Sequence, residues 1–167
     1  MRRALKAWRD ADGRRAAFAS LRKAAARILG RADLPRDAKL AALCALLHRR
    51  VPHYDWVGFY LVDPARPREL VLGPFEGERT EHVRIPFGRG VCGRAAATGR
   101  TLVIDDVGAE SNYLACSLKV KSEIVAPIVR DGAVRAELDI DSHTRAAFGE
   151  DDATFLEHLC AAAAFMF

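Results

Sequence analysis

The sequence lacks the features of several large protein classes. No apolar run among its 167 residues approaches the ~20 needed to span a bilayer. The basic first residues lead into no apolar segment of the kind found in secretory signals. None of the four cysteines lies in a CxxC or CxxH pair, so their spacing predicts no metal site. Together these absences predict a cytoplasmic protein without a membrane partner, with reduced thiols and only transient disulfides.

Charge is unevenly distributed along the chain. The first fifty residues hold 14 Lys/Arg and 4 Asp/Glu, although the whole chain carries only +4. A basic helical layer of this kind could contact nucleic acid, or it could be the solvated face of an amphipathic helix. We predict no nucleic-acid partner, because interleaved aromatics and helix-turn-helix or zinc spacings are missing. The basic positions concerned are Arg14, Arg15, Arg22, Lys23 and Arg27.

Hydrophobic periodicity changes from helical to alternating after the first third of the chain. Residues 1–13 are predicted to be a flexible N-terminus with a break at Gly13, and residues 14–167 a single domain. Helices are predicted over 14–29, 37–50, 92–98 and 150–164. Strands are predicted over 56–62, 69–75, 81–85, 101–104, 122–129 and 134–141, the last two joined by an Asp-Gly hairpin turn.

These elements predict an α+β fold. Six strands would form a central, mainly antiparallel sheet, with the N- and C-terminal helices packed on one face. The short helix and the long irregular segment 105–121 would partly cover the other face. A ligand pocket between the sheet and this loop follows from that arrangement.

Two of the four cysteines stand apart from the predicted core. Cys44 and Cys160 fall on apolar helical stripes, and we interpret them as small core residues. Cys92 follows a Gly-rich turn at a predicted helix start, where the helix dipole would stabilise a thiolate. Cys116 lies in the segment 105–121, and loops of that length are usually functional or disordered.

Acidic and aromatic side chains alternate along two of the strands. Asp139 and Asp141 share one face of the last strand, and Glu123 lies in its hairpin partner. If they are buried, one carboxyl would have a raised pKa and hold a proton at neutral pH; the alternative is an exposed acidic face. Trp56 and Tyr60 are either core aromatics or an apolar wall for a ligand. Carboxylates beside such a wall suit a small ligand that has an apolar part and an ammonium group.

Several segments, taken together and in order, carry a family resemblance. They are WVGFY at 56–60, LVLGPF at 70–75, VRIPFGRGVCG at 83–93, AC at 115–116, SEIV at 122–125 and LDIDS at 138–142. With these motifs the chain closely resembles the GAF-type free methionine-(R)-sulfoxide reductases, from about Trp56 to Asp152. The resemblance implies a GAF fold, commonly a homodimer, that reduces free methionine-(R)-sulfoxide to methionine.

The resemblance also implies roles for individual residues. Cys116 would attack the sulfoxide sulfur, and Cys92 would resolve the resulting sulfenic acid as a disulfide. Thioredoxin or another external thiol would reduce that disulfide, and no bound cofactor is implied. The carboxyl groups would bind the substrate and protonate its oxygen, and the aromatic pair would contact the substrate, with the indole against its methylthio end. The carboxyl groups are those of Glu123, Asp139 and Asp141, and the aromatic pair is Trp56 and Tyr60.

Two positions depart from the family pattern. His82 stands where the family usually has a third cysteine, and Ser117 stands where an aspartate usually follows the second. The resemblance implies that position 82 lies close to Cys116, so His82 could serve as an imidazole partner of that thiol. It cannot resolve a sulfenic acid. The alternative function is therefore a non-catalytic or redox-sensing GAF module that binds a small molecule.

Overall fold

The computed structural model describes Trp8, residues 10–111, Leu114 and residues 119–167. Its helices are α1 (Ala11–Leu29), α2 (Arg36–Arg50), α3 (Gly90–Thr98) and α4 (Glu150–Ala163). Its strands are β1 (Trp56–Asp63), β2 (Arg66–Glu76), β3 (Arg84–Pro86), β4 (Leu102–Ile104), β5 (Ser122–Arg130) and β6 (Ala133–Ser142). Short 3-10 turns occupy Val107–Ala109 and Ala164–Met166.

The six strands form one sheet in the order β3-β2-β1-β6-β5-β4, and every neighbouring pair is antiparallel. The predicted antiparallel sheet is thus confirmed. The β5–β6 hairpin turns at Asp131 and Gly132, whose φ angles of 53° and 74° are both left-handed. An Asp-Gly pair suits such a turn because both residues tolerate positive φ better than most others.

One face of the sheet packs against α1, α2 and α4. Alternation along β6 turns Ala136, Leu138 and Ile140 toward these helices, and Val57 and Phe59 of β1 join them. Side chains from all three helices complete this core, and the rings of Phe18 and Phe155 stack within it at 4.9 Å. The predicted core positions of Cys44 and Cys160 are confirmed, because both thiols are buried in this cluster.

The opposite face is covered by α3. A second cluster of buried residues lies there, made by strand side chains that point away from the terminal helices and by residues of α3. Its buried members are Trp56, Tyr60, Leu70, Ile85, Val91, Cys92, Ala95, Ala96 and Val125. Polar side chains that lie beneath α3 on this second face are therefore removed from water.

The N-terminal helix and the third strand differ from their predicted limits. Helix α1 begins at Ala11, because Asp10 caps it by accepting a hydrogen bond from the Gly13 amide at 2.7 Å. The predicted break at Gly13 is therefore wrong. Trp8 packs edge-on against Phe18 at 5.0 Å, while the division of the chain at residue 13 stays a prediction. β3 has only three residues, and its predicted start at Glu81 is wrong.

The basic side chains of α1 lie on its outer surface. Arg15, Arg22, Lys23 and Arg27 are exposed, and Arg14 is partly exposed, as the solvated-face interpretation predicts. Their orientation leaves the predicted absence of a nucleic-acid partner untested. Within the described ranges, no helix combines the length and the apolar character that crossing a membrane would require.

A buried hydrogen-bonded group joins the start of β1 to the start of α4. One oxygen of Asp152 accepts the Tyr54 hydroxyl at 2.9 Å and lies 2.9 Å from His53 Nε2. Its other oxygen accepts the Gly149 amide at 3.0 Å. Since Tyr54 is buried, its hydroxyl needs the Asp152 carboxylate as an acceptor, and the three contacts together satisfy the buried carboxylate.

We expect Asp152→Ala to lower the free energy of unfolding by about 2–3 kcal/mol, because it leaves the buried Tyr54 hydroxyl without its acceptor. Denaturant titration would measure the change. The matched control is Asp151→Ala, one residue earlier, whose carboxylate is half exposed and lies 3.9 Å from Arg14. That control should change stability by no more than about 0.5 kcal/mol. Equal losses in the two variants would contradict a stabilising role for the group.

Candidate active site

Four carboxyl groups are buried on the sheet face that α3 covers. Asp139 and Asp141 alternate with the core residues of β6, and Glu123 of β5 pairs directly with Asp141. Glu137 occupies the same face two positions before Asp139. Each of the four is at most 3% exposed. The alternative of an exposed acidic strand face is therefore wrong.

The carboxyl groups of β6 are poorly satisfied. Within the described part of the chain, neither oxygen of Glu137, Asp139 or Asp141 has a hydrogen-bond partner. Burial raises the pKa of Asp139 to about 7. Burial, and after it the charge of neighbouring carboxylates, raises the pKa values of Glu123, Glu137 and Asp141 well above their usual range. Glu123, Glu137 and Asp141 therefore hold protons at neutral pH and can act as acids, whereas Asp139 titrates near neutral pH and can ionise beside a cation.

Glu137 is a member of this carboxyl cluster that the sequence analysis does not name. It pairs across the sheet with Tyr60 on one side and Pro127 on the other. Its charge also contributes to the raised pKa of Cys92. The alternation that singled out Asp139 and Asp141 could have identified it two residues earlier.

Cys92 enters the same space from α3. The turn before it uses left-handed backbone at Gly88 and Gly90, with φ of 89° and 63°. At Gly93 an added Cβ would lie 2.4 Å from the Pro86 carbonyl oxygen, so the helix start packs directly on the turn. This close packing holds the Cys92 Sγ 3.9 Å from Glu123 Oε1.

The predicted thiolate at Cys92 is contradicted. Burial raises the pKa of this thiol well above its usual range, and Asp139, Glu137 and Glu123 raise it further. A helix N-terminus stabilises a nearby negative charge by only about 0.3–1 kcal/mol at exposed positions. Desolvation beside several carboxyl groups outweighs that contribution, so Cys92 is a neutral thiol at neutral pH.

Trp56 and Tyr60 line the carboxyl cluster. They pair across the sheet with Asp141 and Glu137, and their rings lie 6.3 Å apart. Trp56 also stacks on Phe75 at 5.5 Å and donates its indole N–H to the Glu78 carbonyl at 3.0 Å. Both aromatics are thus buried like core residues and also face the carboxyl cluster, where they can form an apolar wall for a ligand.

His82 lies at the edge of this face. Its backbone carbonyl accepts the Tyr60 hydroxyl at 2.8 Å, and its amide donates to Thr80 Oγ1 at 3.1 Å. Cys116 and Ser117 lie outside the described residues, so their predicted positions relative to His82 stay predictions.

The space beside the cluster is small. A cavity of about 20 Å³, close to the volume for one water, is lined by residues that include Trp56, Asp141 and His143. A larger groove of about 620 Å³ lies elsewhere, between Arg36, Asp63 and Phe167, and contains none of the predicted site residues. The carboxyl cluster is the candidate site because the Cys92 thiol and the carboxyl groups with raised pKa values lie there.

The buried carboxyls predict a stability that falls as pH rises. Unfolded carboxyls titrate near pH 4, whereas burial holds the pKa of Asp139 at about 7. The folded state therefore binds more protons between these values, and its free energy of unfolding decreases as pH increases through them.

We expect Asp139→Asn to flatten this decrease in denaturant titrations at pH 5 and pH 8. Asp131→Asn, at the exposed hairpin turn, is the control and should keep the wild-type slope; an unchanged slope in Asp139→Asn would contradict the assignment.

The chain is similar to known proteins over most of its length. The GAF domain family matches residues 35–166. The free methionine-R-sulfoxide reductase of Escherichia coli is 42% identical over 142 residues, covering 78% of this chain and 84% of that protein.

Solved structures give the same result. The X-ray structure of free methionine-R-sulfoxide reductase from Neisseria meningitidis in complex with its substrate has 43% identity and a TM-score of 0.81, covering 90% of this chain and 89% of that one. The substrate complex of the Staphylococcus aureus fRMsr has 36% identity and a TM-score of 0.80, covering 89% and 94%. With this fold, and with identity above 40% across most of both chains, the protein belongs to the GAF-domain free methionine-R-sulfoxide reductase family.

Proposed function

We propose that this protein reduces free methionine-(R)-sulfoxide to methionine with its own thiols. The observation that carries the proposal is the buried cluster of Glu123, Asp139 and Asp141, which faces Trp56 and the Cys92 thiol in a chain of this family. The cluster supplies acids and anionic sites, the indole supplies an apolar wall, and the thiol supplies reducing equivalents. A free amino acid with an ammonium group and a methylsulfinyl end needs all three.

Substrate binding follows from these groups. The substrate ammonium forms an ion pair with Asp139. The carboxyl group loses its proton when this cation binds beside it. Trp56 packs against the methyl-sulfur end, with Tyr60 beneath it. His82 lies at the rim and completes the binding set.

The reaction proceeds in two thiol steps. The Cys116 sulfur attacks the sulfoxide sulfur while Glu123 or Asp141 protonates the oxygen; methionine leaves, and the oxygen remains on Cys116 as a sulfenic acid. The Cys92 thiol then attacks that sulfenic sulfur, forming a disulfide, and the oxygen leaves as water. Neutral carboxylic acids suit the first step because they can donate a proton at neutral pH.

The second step needs a base for Cys92. Its pKa is raised by burial and by the surrounding carboxyls, so it attacks only after losing a proton. Glu123, whose Oε1 lies 3.9 Å from the sulfur, is a candidate acceptor for this proton. An external dithiol then reduces the disulfide. We propose thioredoxin or another thiol for this role, with a cytoplasmic homodimer as the working form and no bound cofactor.

A non-catalytic or redox-sensing GAF module is the second candidate. The observation that favours it is the neutral, deeply buried Cys92 combined with His82 in place of a thiol. If Cys92 cannot reach or resolve the sulfenic acid, oxidation would persist and turnover would stop after one cycle.

Turnover separates these two functions. With free methionine-(R)-sulfoxide, thioredoxin and thioredoxin reductase, the protein should consume NADPH continuously, and Cys116→Ser should abolish consumption. Glu123→Gln should lower kcat by about 100-fold or more, the usual contribution of a general acid. Cys160→Ser is the matched control, because that thiol lies in the helical core. Full activity in Cys116→Ser, or no turnover with either thioredoxin or dithiothreitol, would contradict the reductase function.

Recycling is tested at Cys92 and His82. Mass spectrometry after one turnover should find a Cys92–Cys116 disulfide, and Cys92→Ser should lose thioredoxin-dependent turnover while keeping turnover with dithiothreitol. We expect His82→Cys to restore thioredoxin-dependent turnover to Cys92→Ser, because it supplies the thiol usual in the family. His82→Ala is its control and should not restore it. Wild-type rates in Cys92→Ser with thioredoxin would contradict a resolving role.

A further inference from the structure

Three potential metal ligands converge in the carboxyl cluster. The Cys92 sulfur and one carboxylate oxygen each from Glu123 and Asp139 all lie within 4.8 Å of one another, and all three residues are buried. They come from α3, β5 and β6, so no short sequence spacing connects them. For that reason the spacing of the cysteines predicted no metal site.

The cluster contains a buried polar group without a partner. Asp139 is fully buried, and in the part of the chain that the structure describes neither of its oxygens has a hydrogen-bond partner. The same is true of Asp141, whose strand pairs it with Glu123. Buried carboxyls usually pair with a cation, coordinate a metal or stay protonated. A metal ion among these oxygens would give them the partner they lack.

We propose that Cys92, Glu123 and Asp139 bind one Zn²⁺ ion. A set of one thiolate and two carboxylates suits a borderline-soft ion, whereas Mg²⁺ and Ca²⁺ prefer oxygen ligands alone and more of them. Zn–S bonds of about 2.3 Å and Zn–O bonds of about 2.0–2.2 Å place tetrahedral ligands about 3.5 Å apart. The 3.9 Å separation of Cys92 Sγ and Glu123 Oε1 is close to that value. A fourth position remains for water.

Binding exchanges protons for the metal. The Cys92 S–H bond is replaced by a Zn–S bond, and the thiol proton and any carboxyl proton leave to solvent. No sulfur is oxidised or reduced. The bound ion would hold Cys92 as an unreactive metal thiolate and occupy the carboxylates proposed for the substrate ammonium. Zinc would thus be a reversible inhibitor of the reductase. This inhibition rests on the proposed function, whereas zinc binding does not depend on it.

Zinc binding can be measured on the reduced full chain without substrate. Competition with a chromophoric chelator, and metal analysis after dialysis, should find one Zn²⁺ per chain. Cys92→Ser, Glu123→Gln and Asp139→Asn should each weaken binding more than about tenfold, since second-shell changes alone cost about 10–100-fold. Cys160→Ser is the control with a buried thiol outside the site and should bind like wild type. Mg²⁺ should not compete.

Cadmium gives a direct signature of the sulfur ligand. Cd²⁺ added to the reduced protein should produce the ultraviolet thiolate-to-metal charge-transfer band, present in Cys160→Ser and absent in Cys92→Ser. Unfolding curves of the near-isosteric variants would show whether each is folded. Equal zinc affinity in Cys92→Ser and Cys160→Ser, or no stoichiometric zinc in the wild type, would overturn the proposal. Zinc binding that follows these variants in a protein without reductase turnover would overturn only the proposed function.

Discussion

The strongest electrostatic demand in this fold comes from carboxyl groups enclosed between a sheet and a helix. Glu123, Glu137, Asp139 and Asp141 lie on a sheet face that α3 covers, so they are removed from water. A buried carboxylate costs several kcal/mol unless it is protonated or meets a cation. Burial therefore keeps Glu123, Glu137 and Asp141 protonated at neutral pH and raises the pKa of Asp139 to about 7. A positively charged ligand would stabilise the ionised form of these groups.

The pairing register of the sheet places the other site residues around them. β1 pairs with β6 so that Trp56 lies opposite Asp141 and Tyr60 opposite Glu137. Because side chains alternate along a strand, a shift of one residue would turn these groups into the helical core. The Gly-rich turn then holds Cys92 against Glu123. The sheet register and the turn geometry together place the aromatic wall, the carboxyl groups and the Cys92 thiol next to one another.

Much of this arrangement could be predicted from short-range patterns. Alternation identified the strands and the shared face of Asp139 and Asp141, and the Asp-Gly pair identified the hairpin. A single local signal can mislead where a neighbouring residue outweighs it. Gly13 was interpreted as a break although Asp10 caps the helix before it. The same alternation along β6 also includes Glu137, two residues before Asp139, so this position is accessible from the sequence.

Order along the chain was sufficient to establish the α+β architecture, the antiparallel sheet and the family, because periodicity and motif spacing are properties of neighbouring residues. The protonation state of Cys92 was decided by tertiary structure alone. A helix start favours a thiolate, but burial beside Asp139, Glu137 and Glu123, which come from two distant strands, raises the pKa instead. The same holds for the convergence of Cys92, Glu123 and Asp139 within 4.8 Å. Desolvation and ligand distances depend on which segments meet in space, and that information is absent from local spacing.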